Sequence, residues 1–385
     1  MSNDDADIKD ISSGGYFEVT KSSFGKRRKI IIEKDGNNLI RKYYIGSSEK
    51  KYYPDGEKWL KEMLPEIIKS STIGAESRVN RFYRKGGASK VLAEILKLDS
   101  DFVKSAYFKL LLKKNLRTNE ITTTLHAIGK NVDSDFYLSS ILGDNQHLFL
   151  KNTENIDAYI KASSSIGSDF YLSQILKDAV SNKIIADKQL ASLLKISKNI
   201  GSDFYLTEVL KEVIKKRTLN ASNIKQVIFL SNSISSDHYK TDVLKKVLKT
   251  KNLSEEAYGT FINALSDVNS DHYITDVIKE LTRGKLTSEN LDRVLSLIQK
   301  NVSSDHYQLD IYKQIANKSD ITETQLIKIL GTLKSISSSY YLSSALVTFA
   351  PRVKKSSNKV KEVYRNAAKS IHSDTYYGRA IKAID

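Results

Sequence analysis

A block of Ser, Asp and an aromatic ring returns every 34 residues through most of this chain, and nothing else in the sequence limits the possible folds as tightly. Its aspartates are Asp101, Asp135, Asp169, Asp203, Asp237, Asp271 and Asp305. Ser339 then holds the same place within "SSSYY", and Asp374 closes the series one residue late in "IHSDTYY". Nine copies at a nearly unvarying period mark a stacked array, in which each unit buries its apolar side only against its neighbours. That pattern argues against a globular multidomain enzyme.

Within one period the residue types outline two helices. Three positions before the aspartate an aliphatic residue stands in every copy: Leu98, Val132, Ile166, Ile200, Ile234, Val268, Val302, Ile336 and Ile371. Two positions before it come Asp99, Asp133, Gly167, Gly201, Ser235, Asn269, Ser303 and Ser337, all N-cap types, with His372 the exception. With that residue as the cap, the aliphatic residue is N′ and the tyrosine two after the aspartate is N4, the pairing of a hydrophobic staple. The aspartate then lies in the first turn of a helix B, where a carboxylate gains about 0.3 to 1 kcal/mol from the helix dipole. Val209 with Leu210, and Val243 with Leu244, continue that helix at helical spacing.

Upstream, "SNIKQVIFLSNS" and "TSENLDRVLSLIQKN" carry the i, i+3, i+4 pattern of a helix A. Lys130, Lys198, Lys300, Lys334 and Lys369 fall in its last turn, and Asn131, Asn199 and Asn301 suit a left-handed stop. The expected fold is therefore mostly α: a right-handed α-solenoid of about nine helical hairpins over residues 99–385. At about 8 to 10 Å per repeat this is a curved rod roughly 80 to 90 Å long. In shape it resembles HEAT-like and tetratricopeptide arrays, although the W-x2-L-G-x2-Y pattern with its late proline is missing, since no proline lies between Pro65 and Pro351.

Residues 14–98 read differently. "GYFEVTK", "RRKIIIEK", "LIRKYYIG" and "EKKYYP" are aromatic and β-branched, and Gly25, Asp35 to Asn38 and Gly46 to Ser48 separate them, which predicts a three- or four-stranded antiparallel meander. A helix starting near Asp55 presents Trp59, Leu60, Met63 and Leu64 to cover the sheet. Two more helices follow near 75–85 and 88–98, so this segment forms an α+β cap on the array, and residues 1–13 are expected to be a flexible tail. The succession Trp59-Leu60, Leu64-Pro65-Glu66, Arg78-Val79 and Ser100-Asp101 also resembles uncharacterised bacterial proteins with S-D-x-Y repeats, some of them soluble portions of membrane-anchored sensors. That resemblance implies the repeat fold and brings no assigned activity.

Composition narrows the chemistry. There is no cysteine, hence no disulfide, thiolate metal site or cysteine nucleophile. No apolar run approaches the roughly 18 to 20 residues of a membrane span. The acidic, polar first residues are unlike a secretory leader. The chain reads as cytoplasmic, or as the soluble extracytoplasmic part of a longer anchored protein. Its net charge of +16 attracts acidic partners over long range.

Candidate sites are weighed against the repeat. Ser236, Asp237 and His238 have the residue types of a hydrolase triad, but consecutive residues in a helical turn point apart, so no triad forms within a repeat and no catalytic residue is assigned. The place after the aspartate holds Phe102, Phe136, Phe170 and Phe204, then His238, His272 and His306, then Tyr340 and Thr375. Joint zinc chelation by the three histidines fails on distance: ligands at about 2.0 to 2.1 Å from one ion cannot come from repeats about 8 to 10 Å apart. This ring column is inter-repeat packing or a stacking and peptide-binding strip.

Eight after the aspartate stand Lys109, Lys177, Lys211, Lys245, Lys279, Lys313 and Lys382, a row able to follow a phosphate backbone. Glu208, Asp242, Asp276 and Asp310 lie three residues before four of these lysines, the spacing of intrahelical ion pairs. "FGKRRK" (24–29) reads as charges guarding a sheet edge or as a phosphate or targeting element, and "RKGGASK" (84–90) lacks P-loop spacing.

The resulting expectation is a non-enzymatic scaffold that binds a protein or peptide through the ring column and needs no cofactor or metal. Nucleic-acid binding along the lysines is the alternative from another class, and a catalytic pocket in the N-terminal part is a third.

Overall fold

The structure, a computed structural model, describes residues 1–250, 254–284 and 286–385, and its chain divides into two compact units, Met1–Ile175 and Leu176–Asp385. In the first unit the expected meander is present. Strands β1 (Tyr16–Ser23), β2 (Lys26–Asp35), β3 (Asn38–Ile45) and β4 (Ser48–Lys50) pair antiparallel in the order β1-β2-β3-β4. Alternation places Phe17, Ile30, Ile32 and Tyr43 in the core. Helix α1 (Glu57–Ser70) covers that layer with Trp59, Leu60, Met63, Leu64 and Ile68, and the Trp59 ring lies 6.1 Å from Tyr43. The two helices expected next are present within α2 (Ala75–Ile95), where Gly86 and Gly87 leave helical φ/ψ and separate them; the φ of +62° at Gly87 favours a residue without a β-carbon.

Within residues 1–13, expected to be a flexible tail, Ser2, Asp5 and Ile8 make contacts to the body of the first unit. The Asp5 carboxylate bridges two buried guanidiniums, Arg78 (3.0 Å) and Arg81 (2.6 Å), and Ile8 is buried. Arg81 also donates to the Ser2 carbonyl, and Arg78 to the Tyr107 hydroxyl. A buried arginine left unpaired costs several kcal/mol, on the order of the 3 to 5 seen for broken buried pairs, so this arrangement draws the N-terminus inward.

From residue 101 on, the helical-hairpin array follows. Each helix B begins at the repeated aspartate, or at Ser339 in its place: Asp101–Leu112 and Asp135–Asp144 in the first unit, Asp203–Lys216, Asp237–Leu248, Asp271–Arg283, Asp305–Ala316, Ser339–Lys354 and Asp374–Lys382 in the second. Helices A intervene, among them Thr118–Asn131 and Thr153–Ser163 in the first unit and Asp187–Ser197, Ala221–Ser231 and Ser288–Asn301 in the second. Within each unit, successive B helices pack on one another and successive A helices do the same, burying Val209, Leu210, Val243, Leu244, Ile224 and Ile228 among others.

The start of helix B lies one residue later than the N-cap chemistry implied. The cap is the invariant serine (Ser100, Ser134, Ser202, Ser236, Ser270, Ser304, Ser338, Ser373), with extended φ/ψ, and the aspartate is N1. The aliphatic residue is thus N″ and the tyrosine N3, so the hydrophobic staple does not form. The reason lies in the neighbouring repeat. Asp101 accepts from the Asp133 and Ser134 amides at 2.8 and 2.7 Å, so the residue read as a cap is itself tied down by its backbone. Asp135 holds Gly167 and Ser168 in the same way; Asp203 holds Ser235 and Ser236, Asp237 holds Asn269 and Ser270, Asp271 holds Ser303 and Ser304, and Asp305 holds Ser337 and Ser338. Ser339, in the aspartate place, gives His372 one longer bond of 3.2 Å. Each carboxylate is therefore a fastener across the repeat boundary, in addition to any dipole benefit.

The asparagines after helix A also behave differently from the left-handed stop expected of them. Only Asp5 and Phe24 among the described non-glycine residues have positive φ, while Asn131 and Asn301 end their helices and donate through their amides to Ala127 and Ser266 carbonyls.

Candidate functional site

The N1 aspartate fixes the direction of the residue behind it. At N2 the side chain leaves the helix start sideways, and Phe136, Phe170, Phe204 and Tyr340 are 54, 45, 48 and 48% exposed, with His238, His272 and His306 also exposed. From Phe136 to Tyr340 the ring meets its own tyrosine edge to face, and within each unit it also meets the tyrosine of the next repeat. In the second unit the series runs unbroken. Phe204 lies 6.1 Å from Tyr239, His238 5.6 Å from Tyr273, His272 6.2 Å from Tyr307, His306 6.0 Å from Tyr341 and Tyr340 5.7 Å from Tyr376. In the first unit Phe102 with Tyr137, and Phe136 with Tyr171, repeat the arrangement. Ring pairs of this geometry contribute about 0.5 to 1.5 kcal/mol beyond their buried area. The column is therefore packing and surface at once: one side of each ring braces the array and the other faces outward.

The histidines occupy separate repeats in this zipper, and among the described residues no three His, Cys, Asp or Glu side chains come together as a metal group. Successive column rings such as Phe204 and His238 are each within 6.1 Å of Tyr239, so their own separation is at most about 11 Å, consistent with stacked-helix spacing.

The lysine row is mostly held, and its partners differ from those the spacing suggested. Lys211 does pair with Glu208 in its own helix at 3.3 Å, but it also reaches Asp242 of the next repeat at 3.0 Å. Lys245 reaches Asp276 and Lys279 reaches Asp310, both at 3.8 Å and both across the repeat boundary. Stacked B helices bring i and i+31 closer than the i−3 neighbour for these two residues. The Asp242 carboxylate, as hydrogen-bond acceptor and charge, holds the Lys211 ammonium above its ordinary value. Lys109 is taken up by Ser140 and Asp144, each at 2.7 Å. Lys313 is exposed and faces the register position of Ser344, and Lys177 is half-buried beside Asp178.

Sequence reasoning passed over two features. Four residues after the aspartate a small hydroxyl is buried in most repeats: Ser105, Ser139, Ser173, Thr207, Thr241, Thr275 and Ser343. Its small volume lets neighbouring B helices approach. The periodicity was visible in the sequence, but it is a column of polar types on an apolar face. The second feature is a cleft of about 290 Å³ in the first unit, lined in part by Asp4, Asp5, Lys61, Arg78 and Glu94. Its acids are engaged: Asp5 by the two arginines, Glu94 by Lys97 at 2.8 Å and Arg78 at 3.7 Å, and Asp4 by the Ser2 hydroxyl, whose donation lowers its carboxyl.

No protein-family model matches the chain, and no curated protein does. Among solved structures, one match is described as "Computational Design of Self-Assembling Cyclic Protein Homooligomers"; it is 11% identical, with 84% of this chain and 97% of that one covered, at a TM-score of 0.14. A superposition that poor carries no argument about this chain.

Proposed function

We propose that the chain is a non-enzymatic binding scaffold whose ring column receives an extended segment of a protein or peptide partner. The observation that supports this most is the half-exposure of the rings along an unbroken zipper in the second unit. Rings held edge to face by their neighbours lose little further side-chain freedom on binding, so a partner meets a pre-ordered apolar strip. Repeat spacing sets the partner's period. A partner in the extended polyproline II conformation advances about 3.1 Å per residue with three residues per turn, so every third side chain lies on one face, recurs about every 9 Å and meets successive rings.

Selection of displayed random 12-residue peptides on the full chain tests this reading. Enriched sequences should carry apolar residues three apart, and Phe204→Ala combined with His272→Ala should weaken them by tenfold or more, the scale of losing an interface anchor. No enrichment, or binders indifferent to both substitutions, would refute it.

Nucleic acid along the lysine row is supported less well, because Lys109, Lys211, Lys245 and Lys279 already hold acidic or hydroxyl partners. Electrophoretic retardation at low salt that weakens steeply as salt rises would favour it over the peptide reading.

A further inference from the structure

The β1–β2 hairpin closes through the Ser23–Lys26 pair over a two-residue turn, Phe24–Gly25. Both residues have positive φ, 48° and 77°, as in a type I′ turn, whose first position ordinarily takes asparagine, aspartate or glycine. A bulky side chain is disfavoured in that conformation. Packing does not account for it either, since the Phe24 ring is fully exposed at 103%. Neither local conformation nor the protein core explains a phenylalanine here.

Its surroundings are cationic. Lys21, Lys26, Arg27 and Arg28 are exposed on the two strands behind the turn. Lys21 is paired with Glu66 at 3.0 Å, whereas Lys26, Arg27 and Arg28 have no ion-pair partner among the described residues. The β3–β4 turn lies at the same end of the sheet, its Gly46 amide donating to the Arg27 carbonyl, and adds the exposed Ile45. The groove of about 550 Å³ between the hairpin and α1 is lined by Phe24, Lys26 and Arg28 as well as Glu62 and Glu66; with Glu66 taken up by Lys21, the balance at the hairpin end stays positive.

We propose that this hairpin tip docks on an anionic lipid bilayer, Phe24 entering the acyl boundary while Lys26, Arg27 and Arg28 meet the headgroup phosphates. The order of the groups favours a bilayer over a nucleic acid. The apolar ring stands at the apex ahead of its cations, matching a charged layer with an apolar one beneath it. A single-stranded nucleic acid would instead be tracked by cations along a groove with several stacking faces. The strained turn then has a purpose: it projects the ring beyond the backbone. This inference does not depend on the ring column.

Flotation of the full chain with phosphatidylcholine vesicles, with and without about 30% phosphatidylserine, tests it. Binding should require phosphatidylserine and fall as salt rises. Arg27→Gln with Arg28→Gln should lower it about 30-fold. Phe24→Asn should lower it about tenfold, by removing the buried ring. Asparagine suits the turn, so this variant should melt no lower than the parent, which separates lost docking from lost folding. Equal flotation on neutral vesicles, unchanged binding of Phe24→Asn, or failure to float while a single-stranded oligonucleotide binds would each overturn the proposal.

Discussion

Replacing Asp237 with alanine removes one fastener between adjacent repeats without touching the core. Two amides lose their acceptor: Ser270, half-buried, at 2.8 Å, and Asn269, exposed, at 3.1 Å. A hydrogen bond to a charged group contributes about 1.5 to 3 kcal/mol when water cannot replace it, and much less when it can. Counting the Ser270 bond nearly in full, the Asn269 bond at a fraction, and about 0.3 to 1 kcal/mol for the lost charge at N1, the expected cost is about 2 to 3 kcal/mol. A repeat array need not unfold in one step, so a global melt would dilute the effect. Native-state hydrogen exchange reads it locally: protection at Ser270 and in the first turn of Asp271–Arg283 should fall about 30-fold or more, while Asp305–Ala316 changes little. The mirror experiment, Ser339→Asp, should raise protection at His372, where the serine now makes one long bond. Unchanged exchange in Asp237→Ala would show that the carboxylate does not join the repeats.

Other expectations follow from the same contacts. The Thr207 and Thr275 hydroxyls are buried without a hydrogen-bond partner among the described residues, so Thr207→Val should stabilise by about 1 kcal/mol in denaturant titration, whereas Thr241→Val loses a 2.7 Å bond to the Asp237 carbonyl and should not. Gly129→Ala would set a β-carbon 2.9 Å from the Ala162 backbone and should cost about 1 to 3 kcal/mol, while Gly331→Ala, with open space around it, should gain about 0.5 to 1 kcal/mol. Burial pushes the Tyr312 hydroxyl up to about 12. A phenol that stays protonated when folded but ionises near pH 10 when unfolded makes stability fall between pH 10 and 12, so Tyr312→Phe should flatten that alkaline limb in a pH series of denaturant melts.

Much of this architecture is legible in the residues because it is local. The 34-residue period, the apolar spacing of helix B and the β-branched runs of the meander each act within one element, and the structure follows them. What the chain conceals is what crosses between elements. N-cap statistics favour Asp133, Asn269 or Ser303 for their own side chains, and cannot reveal that their amides are held by an aspartate 32 residues earlier. Helical spacing suggests Asp276 for Lys279, yet Asp310 in the next repeat is the partner. The acidic start reads as a solvated tail because nothing nearby in sequence announces that Arg78 and Arg81 are buried and need Asp5. At the candidate site, the column of rings was visible as a recurrence. Its division into a bracing side and an outward side depends on tyrosines contributed by the following repeat.

The account rests on the register of one repeat against the next, and introduced thiols read that register directly because the chain has no cysteine of its own. Cysteine pairs replacing Lys211 with Asp242, Lys245 with Asp276 and Lys279 with Asp310 should each be bridged rapidly by a short bifunctional thiol reagent. Lys211 with Asp276, one repeat out of step, should not be bridged. Equal bridging of the out-of-step pair, or none in the three neighbouring pairs, would contradict the stacking.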